Sequence, residues 1–82
     1  MSLELTAIII DDEQKSRETL DAMLKRYCKH VKIIGTAENV ESGLALLNKT
    51  ETDILFLDIQ MPDGTGFNLL QQLEKREFDV IF

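Results

Sequence analysis

Two short apolar runs, each ending on acidic residues, constrain the fold of this chain more than any other feature of its sequence. Residues 8–10 are Ile-Ile-Ile and lead into Asp11 and Asp12, while residues 54–57 are Ile-Leu-Phe-Leu and lead into Asp58. Unbroken apolar runs of this kind are typical of strands that are buried on both faces of a parallel sheet. Because charged carboxylates are costly to bury, the acidic residues are expected where these strands end.

The ends of the two strands predict a functional site. In open α/β sheets, ligands bind at the edge where the carboxyl ends of the strands meet. Asp11, Asp12 and Asp58 are therefore expected to lie close together at that edge. Three neighbouring carboxylates repel one another strongly, unless a doubly charged group lies among them or one of them takes up a proton.

The remaining sequence alternates between strand-like and helix-like segments. Strands are predicted over residues 6–10, 31–37, 54–57 and 78–82, and helices over about residues 14–28, 40–48 and 65–75. Asn39 is a good N-cap for the second helix, and the partly alternating second strand is expected at the sheet edge. Right-handed crossovers then require an α/β fold, a doubly wound parallel sheet with helices on both faces.

Apolar residues at helical spacing predict which helix faces are covered. The first helix carries Leu20, Met23, Leu24 and Tyr27 along one face. The third helix is predicted to bury Phe67, Leu70 and Leu73, or a near neighbouring set. Both patterns repeat at intervals of three and four residues, as expected of helices packed on a sheet.

Composition limits the classes of function. The chain has 82 residues, of which 44% are hydrophobic and 29% charged, as in an ordinary single soluble domain. Fifteen acidic against nine basic residues give a charge of −6, which argues against nucleic-acid binding by this segment. A single cysteine, Cys28, indicates a reducing compartment. No run approaches the ~20 apolar residues of a membrane span, so a cytoplasmic protein without membrane contact is expected.

The motifs at the two strand ends carry a resemblance to a known family. Ile10-Asp-Asp-Glu13 and Phe56-Leu-Asp-Ile-Gln-Met-Pro-Asp-Gly64 resemble the receiver domain of two-component response regulators. The resemblance covers the whole chain and is strongest to receivers that precede a LytTR-type DNA-binding domain. It implies a flavodoxin-like sheet with strand order 2-1-3-4-5 in the full domain.

The resemblance also implies roles for the acidic residues. Asp58 would be the nucleophile that accepts a phosphoryl group from a sensor histidine kinase, in a signalling switch that turns over no external metabolite and is not an enzyme. Mg²⁺ would be the cofactor, since it prefers hard oxygen ligands. Asp12 would bind the metal directly and Asp11 mostly through water. Asp58 and the backbone carbonyl of Gln60 would complete the protein ligands.

Other residues near the site are interpreted as structural. Glu13 and Asp63 are expected to be turn or first-turn residues rather than ligands. Pro62 and Gly64 would shape the loop so that the Gln60 carbonyl faces the metal. Gly66, early in the third helix, is unfavourable for helix stability and is interpreted as allowing a close approach of backbone.

The resemblance further predicts what residues 1–82 represent. They would be the N-terminal part of a receiver domain, in the order βαβαβαβ, with the fifth strand, two helices and the output domain not present. A Thr or Ser and a Lys of the family would follow beyond residue 82. The apolar residues 80–82 would leave an exposed strand edge, which predicts a homodimer or strand-exchanged oligomer. DNA would be contacted only through the output domain, in transcription regulation.

Two other functions are weighed against the receiver. Asp63-Gly64-Thr65 superficially resembles the signature of Mg²⁺-dependent phosphohydrolases of the haloacid-dehalogenase kind. In that family a second Asp lies two residues after the nucleophile, whereas position 60 here is Gln, so the general acid is missing. The third hypothesis is a receiver-like interaction module that no longer cycles. Treatment with acetyl phosphate distinguishes the three hypotheses.

Overall fold

The computed structural model describes residues 4–73 and 76–82, in which strands and helices alternate along the chain. The strands are β1 (Leu5–Ile10), β2 (Val31–Ala37), β3 (Ile54–Leu57), β4 (Gln60–Met61), β5 (Gly64–Thr65) and β6 (Asp79–Ile81), and the helices are α1 (Gln14–Tyr27), α2 (Val40–Lys49) and α3 (Gly66–Gln71). β1, β2, β3 and β6 form a parallel sheet in the order β2-β1-β3-β6, while β4 and β5 form a separate antiparallel hairpin. The predicted parallel α/β sheet is confirmed, with β2 at its edge.

The core of the molecule lies between the sheet and the helices α2 and α3. The side chains of Ile8, Ile10, Leu55 and Leu57 belong to one buried cluster together with Ala37, Val40, Met61 and Leu69. Ile9 is also buried, and it points to the opposite face because successive residues of a strand alternate. Full burial of each such side chain contributes about 1.5–3 kcal/mol, in keeping with the continuous apolar runs at residues 8–10 of β1 and 54–57 of β3.

The register of the central strands brings their carboxyl ends to one edge. Ile10 at the end of β1 is aligned with Ala37 in β2 and with Leu57 in β3. The hydrogen bonding between neighbouring strands continues one residue beyond their ends. The backbone N–H of Asp11 donates to the Ala37 carbonyl at 3.0 Å, and that of Asp58 donates to the Ile10 carbonyl at 2.9 Å. The first residue after β1 and the first after β3 therefore lie side by side.

Side-chain caps define the starts of α2 and α3. The Asn39 side chain accepts a hydrogen bond from the backbone N–H of Ser42 at 2.7 Å, and the two residues form a capping box. The N-cap predicted for Asn39 is therefore confirmed. Thr65 and Asn68 form the equivalent box at α3, so this helix begins at Gly66 and Thr65 is its cap.

Two of the predicted buried helix faces need correction. In α1 only Leu24 is buried, whereas Met23 is 53% and Tyr27 is 70% exposed. The Arg26 guanidinium lies over the Tyr27 ring, 5.3 Å from its centroid, which gives this exposed ring a favourable partner. The predicted apolar face of α1 is therefore wider than the part that the sheet covers.

The third helix differs from its prediction in burial and in length. Leu69 is fully buried, while Phe67 is 53% exposed and its ring packs against Phe82 with 5.1 Å between the centroids. Leu70 and Leu73 are partly buried against the core as predicted, so Leu69 takes the buried position that was predicted for Phe67. The helix was predicted to extend to about residue 75, but α3 ends at Gln71. The last two residues of the predicted helix, 74–75, lie outside the described residues.

Candidate functional site

Three aspartates come together where β1 and β3 end. Asp11, Asp12 and Asp58 each offer a carboxylate oxygen, and these three oxygens all lie within 4.8 Å of one another. Asp11 and Asp58 are half-buried and Asp12 is exposed. We call these three residues the acidic cluster. The proximity expected from the two strand ends is therefore present in the structure.

The first turn of α1 holds the β1 end of the cluster in place. A carboxylate oxygen of Asp11 accepts a hydrogen bond from the backbone N–H of Glu13 at 2.9 Å. The Arg17 guanidinium donates to the backbone carbonyl of Asp11 at 2.6 Å. Because Arg17 stands one turn further along the helix, this contact ties the end of the strand to the start of α1. Glu13 has the N-cap position of α1, in agreement with its interpretation as a turn residue.

The electrostatic environment of Asp58 disfavours its ionised form. Burial raises the pKa of the Asp58 carboxyl above its ordinary value of 3.8, and a hydrogen-bonding contact with the Asp12 carboxyl and the charge of Asp11 raise the pKa further. The backbone N–H of Gln60 has the opposite effect and lowers this pKa. The ionised cluster thus carries repulsion that a bound proton or a cation would relieve.

The chemistry of the cluster fits a hard divalent cation. Mg²⁺ is bound through one or two carboxylates and keeps several waters, so three partly accessible carboxylate oxygens suit it well. A soft metal would require thiolate or imidazole ligands, and the cluster offers neither. Gln60, the remaining predicted ligand, is exposed in β4, and its backbone N–H lowers the pKa of Asp58. The ligand role of its carbonyl stays a prediction.

The segment after Asp58 is a small hairpin rather than an open loop. Gln60 pairs with Thr65 and Met61 with Gly64, so the turn consists of Pro62 and Asp63. Gly64 has a φ of +151°, a conformation that residues with a Cβ rarely adopt. The backbone of this segment therefore depends on glycine at the place where the sequence predicted a shaped loop.

Gly66 allows the hairpin to return close to Asp58. The N–H of Gly66 donates to the carbonyl of Ile59 at 2.8 Å. A Cβ placed on Gly66 would lie 2.5 Å from the backbone carbonyl oxygen of Asp58, a distance that no side chain tolerates. The interpretation of Gly66 as a site of close backbone approach is therefore correct, and the approach is to the central aspartate itself.

Sequence reasoning missed one residue that shapes the site. The carboxylate of Asp63 accepts hydrogen bonds from the backbone N–H groups of Val40 at 2.8 Å and Glu41 at 3.0 Å. These two bonds lower the pKa of Asp63 below its ordinary value of 3.8. An Asp between Pro and Gly has the local pattern of an ordinary turn, and nothing nearby in the sequence indicates a partner at the start of α2.

Comparisons with known proteins agree on one family. The profile of the response regulator receiver domain matches residues 7–82. A response regulatory protein of Vibrio parahaemolyticus is 46% identical over 70 residues, which cover 85% of this chain and 28% of that protein. The sensory transduction protein LytT of Bacillus anthracis is 44% identical over 71 residues, covering 87% of this chain and 28% of LytT. The chain thus spans less than a third of these relatives.

A further relative and a solved structure extend the comparison. The transcriptional regulatory protein BtsR of Escherichia coli is 34% identical over 70 residues, covering 85% of this chain and 29% of BtsR. One chain of the solved complex of histidine kinase ThkA with response regulator TrrA superposes on this chain with a TM-score of 0.78 at 28% identity. The match covers 93% of this chain and 65% of the chain in the complex. Within the described residues, every helix is too short or too polar to cross a membrane.

Proposed function

The chain belongs to the response regulator receiver domains, and on that premise we propose that Asp58 accepts a phosphoryl group from a sensor histidine kinase in a Mg²⁺-dependent reaction. Members of this family act as signalling switches in two-component systems. The observation that carries the proposal is the acidic cluster, in which the residue after β3 meets the two residues after β1. No other carboxylate group of the described residues has this arrangement.

The proposed chemistry is an in-line transfer between two nucleophiles. A carboxylate oxygen of Asp58 forms a bond to phosphorus while the bond from phosphorus to the histidine nitrogen of the kinase breaks, and the histidine leaves with its electron pair. Mg²⁺, when bound, would neutralise charge on the phosphoryl oxygens. The protein contributes mainly position: Asp58 is half-buried, and its backbone is held between Ile10 and Gly66.

The proposed metal site uses the residues of the acidic cluster. Asp12 would bind the cation directly, Asp11 mostly through water, and Asp58 and the Gln60 carbonyl would supply the remaining protein oxygens. Support comes from the grouping of the three carboxylates and from the raised pKa of Asp58, which burial and the neighbouring Asp12 and Asp11 carboxyls cause.

The proposed partners follow from the family and from its relatives. A kinase is supported by the solved complex of ThkA with TrrA, and an output in transcription by the name of BtsR. We place the contact with DNA in an output domain, because this segment carries a net charge of −6. A cytoplasmic location is proposed from membership of this family and from the single cysteine.

Self-association of this 82-residue chain is a further part of the proposal. β6 pairs with β3 at one side of the sheet, and Ile81 and Phe82 at its end are 47% and 56% exposed. An apolar strand edge recruits other chains, so a homodimer or strand-exchanged oligomer is expected. Light scattering on the 82-residue chain tests this part. A monodisperse monomer at high concentration would contradict it.

Acetyl phosphate with intact-mass detection tests the proposed reaction. The wild-type chain is expected to gain the mass of one phosphoryl group in the presence of Mg²⁺ and to remain unmodified with a chelator. Asp58→Asn should gain nothing under either condition. A phosphohydrolase would instead release inorganic phosphate over many turnovers, and a non-cycling module would remain unmodified. A mass gain in Asp58→Asn would contradict the assignment of the acceptor.

A further inference from the structure

The tip of the β4–β5 hairpin is attached to another element of the fold. Asp63 lies in its turn, and each of its carboxylate oxygens accepts one backbone N–H from the start of α2: Oδ1 from Val40 at 2.8 Å and Oδ2 from Glu41 at 3.0 Å. Hydrogen bonds in which the acceptor is charged are stronger than neutral ones. The positive end of the helix macrodipole also favours a carboxylate at this place.

These two bonds are separate from the cap that α2 already has. Asn39 caps the helix from within its own sequence by accepting from the N–H of Ser42. The N–H of Gly43 donates to the Asn39 carbonyl at 2.9 Å, as the first bond of the helix. Asp63 serves the two N–H groups that such a cap leaves unpaired. It comes from a segment more than twenty residues later in the chain, and it therefore links two elements.

The same hairpin carries the residue next to the acidic cluster. Gln60 is its first residue and lies two positions after Asp58, and its backbone N–H lowers the pKa of the Asp58 carboxyl. At the base, the N–H of Gly66 is bonded to the carbonyl of Ile59. At the turn, a Cβ placed on Gly64 would lie 3.3 Å from Cγ2 of Val40. The hairpin is thus held at its base beside Asp58 and at its turn on α2.

We infer that Asp63 is a positioning residue for the metal site, which holds Gln60 in place by anchoring the hairpin turn to α2 and thereby couples cation binding to the start of that helix. The inference rests on the proposed Mg²⁺ site. Without the two bonds, Gln60 keeps the hydrogen bond at the base of the hairpin and the buried Met61 beside it, but the turn loses its anchor on α2. Ordering the released hairpin upon binding then costs conformational entropy. Coupling of this kind is reciprocal, so the cation should also affect Val40 and Glu41.

Mg²⁺ titrations of the 82-residue chain, followed by amide NMR, test the inference. In the wild-type chain, the amides of the acidic cluster and Gln60 should shift, and those of Val40 and Glu41 should shift with the same midpoint. Asp63→Ala should weaken Mg²⁺ binding about tenfold, the low end of what loss of a residue supporting a metal ligand costs. In this variant the amides of Val40 and Glu41 should no longer respond.

Two matched variants separate positioning from simpler effects. Asn39→Ala removes the other cap of α2, so it destabilises the same helix end while leaving the hairpin contact present. Glu41→Gln removes one negative charge from the same turn and keeps both bonds to Asp63. Glu41→Gln should bind Mg²⁺ within about twofold of the wild type, since it changes no group that supports a ligand. Asn39→Ala should weaken binding less than Asp63→Ala, because it loosens the helix end but keeps the carboxylate that holds the hairpin. Asp63→Asn retains one acceptor oxygen and should lie between Asp63→Ala and the wild type.

The outcomes distinguish this inference from the proposed function. If the cluster amides of the wild-type chain do not respond to Mg²⁺, the proposed site fails and the inference fails with it. If they respond while Val40 and Glu41 do not, or if Asp63→Ala binds as tightly as the wild type, only the inference is overturned. Equal weakening by Asn39→Ala would also overturn it, because helix stability alone would then explain the loss.

Discussion

Two aspartates stand at opposite ends of the same strand and have opposite surroundings. Asp53 precedes β3, and one of its carboxylate oxygens accepts from the backbone N–H of Thr6 at 2.8 Å and from the Thr6 hydroxyl at 3.0 Å. Asp58 follows β3 and faces the carboxylates of Asp11 and Asp12 within 4.8 Å. The carboxylate of Asp53 accepts two hydrogen bonds from Thr6, whereas the carboxylate of Asp58 faces two like charges.

The difference separates a structural carboxylate from the one proposed to be functional. The backbone N–H of Asp53 donates to the Thr6 carbonyl, and its carbonyl accepts from the N–H of Asp79. Its charged side chain adds the two bonds from Thr6, so the residue supports the pairing of β3 with β1. Asp58 contributes repulsion, and its raised pKa records that the fold disfavours its ionised form. Carboxylates with raised pKa values cluster at functional sites, which supports the role proposed for Asp58. The predictions below test this contrast at either end of β3.

Loss of a cluster carboxylate should have the largest effect, on metal affinity. Asp12→Asn removes a proposed direct ligand and is expected to weaken Mg²⁺ binding by at least the ~10- to 100-fold that loss of a supporting group costs. Asp53→Asn, at the other end of the sheet, should leave the affinity unchanged. Isothermal titration calorimetry measures both. The contrast fails if the two variants lose affinity equally.

Stability of the metal-free protein should change in opposite directions at the two ends. Asp53→Ala removes two hydrogen bonds to Thr6 and should lower the free energy of unfolding by about 1–2 kcal/mol. Asp58→Asn removes a repelled charge and should raise the melting temperature. Urea unfolding and thermal melts in the presence of a chelator measure these changes. A lower melting temperature for Asp58→Asn would show that the cluster does not destabilise the fold.

Acid sensitivity at Asp63 should be the smallest of the three effects. Its folded-state pKa lies below 3.8, because the N–H groups of Val40 and Glu41 favour the ionised form. At pH values between the folded-state pKa and 3.8, the unfolded chain therefore binds more protons than the folded chain. The contribution of Asp63 to the free energy of unfolding is thus complete above pH 3.8 and is lost as the pH falls through this interval. The stability advantage of the wild type over Asp63→Asn should shrink on acidification, as urea unfolding at several pH values would measure. A constant difference would contradict this.

Much of the fold and of the site was accessible from the sequence because the rules involved are local. Burial of Ile8 and Leu55 and the cost of burying Asp11 or Asp58 together define strands that end on acidic residues. Parallel strands then have to share a carboxyl edge. Asn39 followed by an apolar period likewise marks a helix start. Each inference uses neighbours in sequence, and the structure agrees at each of these positions.

The errors arise where the outcome depends on packing between distant segments. Helical periodicity shows which direction a helix faces but not how much of that face its neighbours cover, so Met23, Tyr27 and Phe67 proved exposed. The hairpin has only two residues in each strand, too few for alternation to be recognised. The contact of Asp63 with α2 joins segments 22 and 23 residues apart, which no local pattern encodes.

The central claim is that the carboxylate after β3, and no other, accepts the phosphoryl group. Borohydride reduction of the acetyl phosphate-treated chain converts an acyl-phosphorylated aspartate to homoserine, and peptide mass mapping then locates the modified position. We predict homoserine at position 58 alone, dependent on Mg²⁺, with Asp11, Asp12 and Asp53 unchanged. Modification of Asp53, or of Asp11 or Asp12 in place of Asp58, would contradict the account.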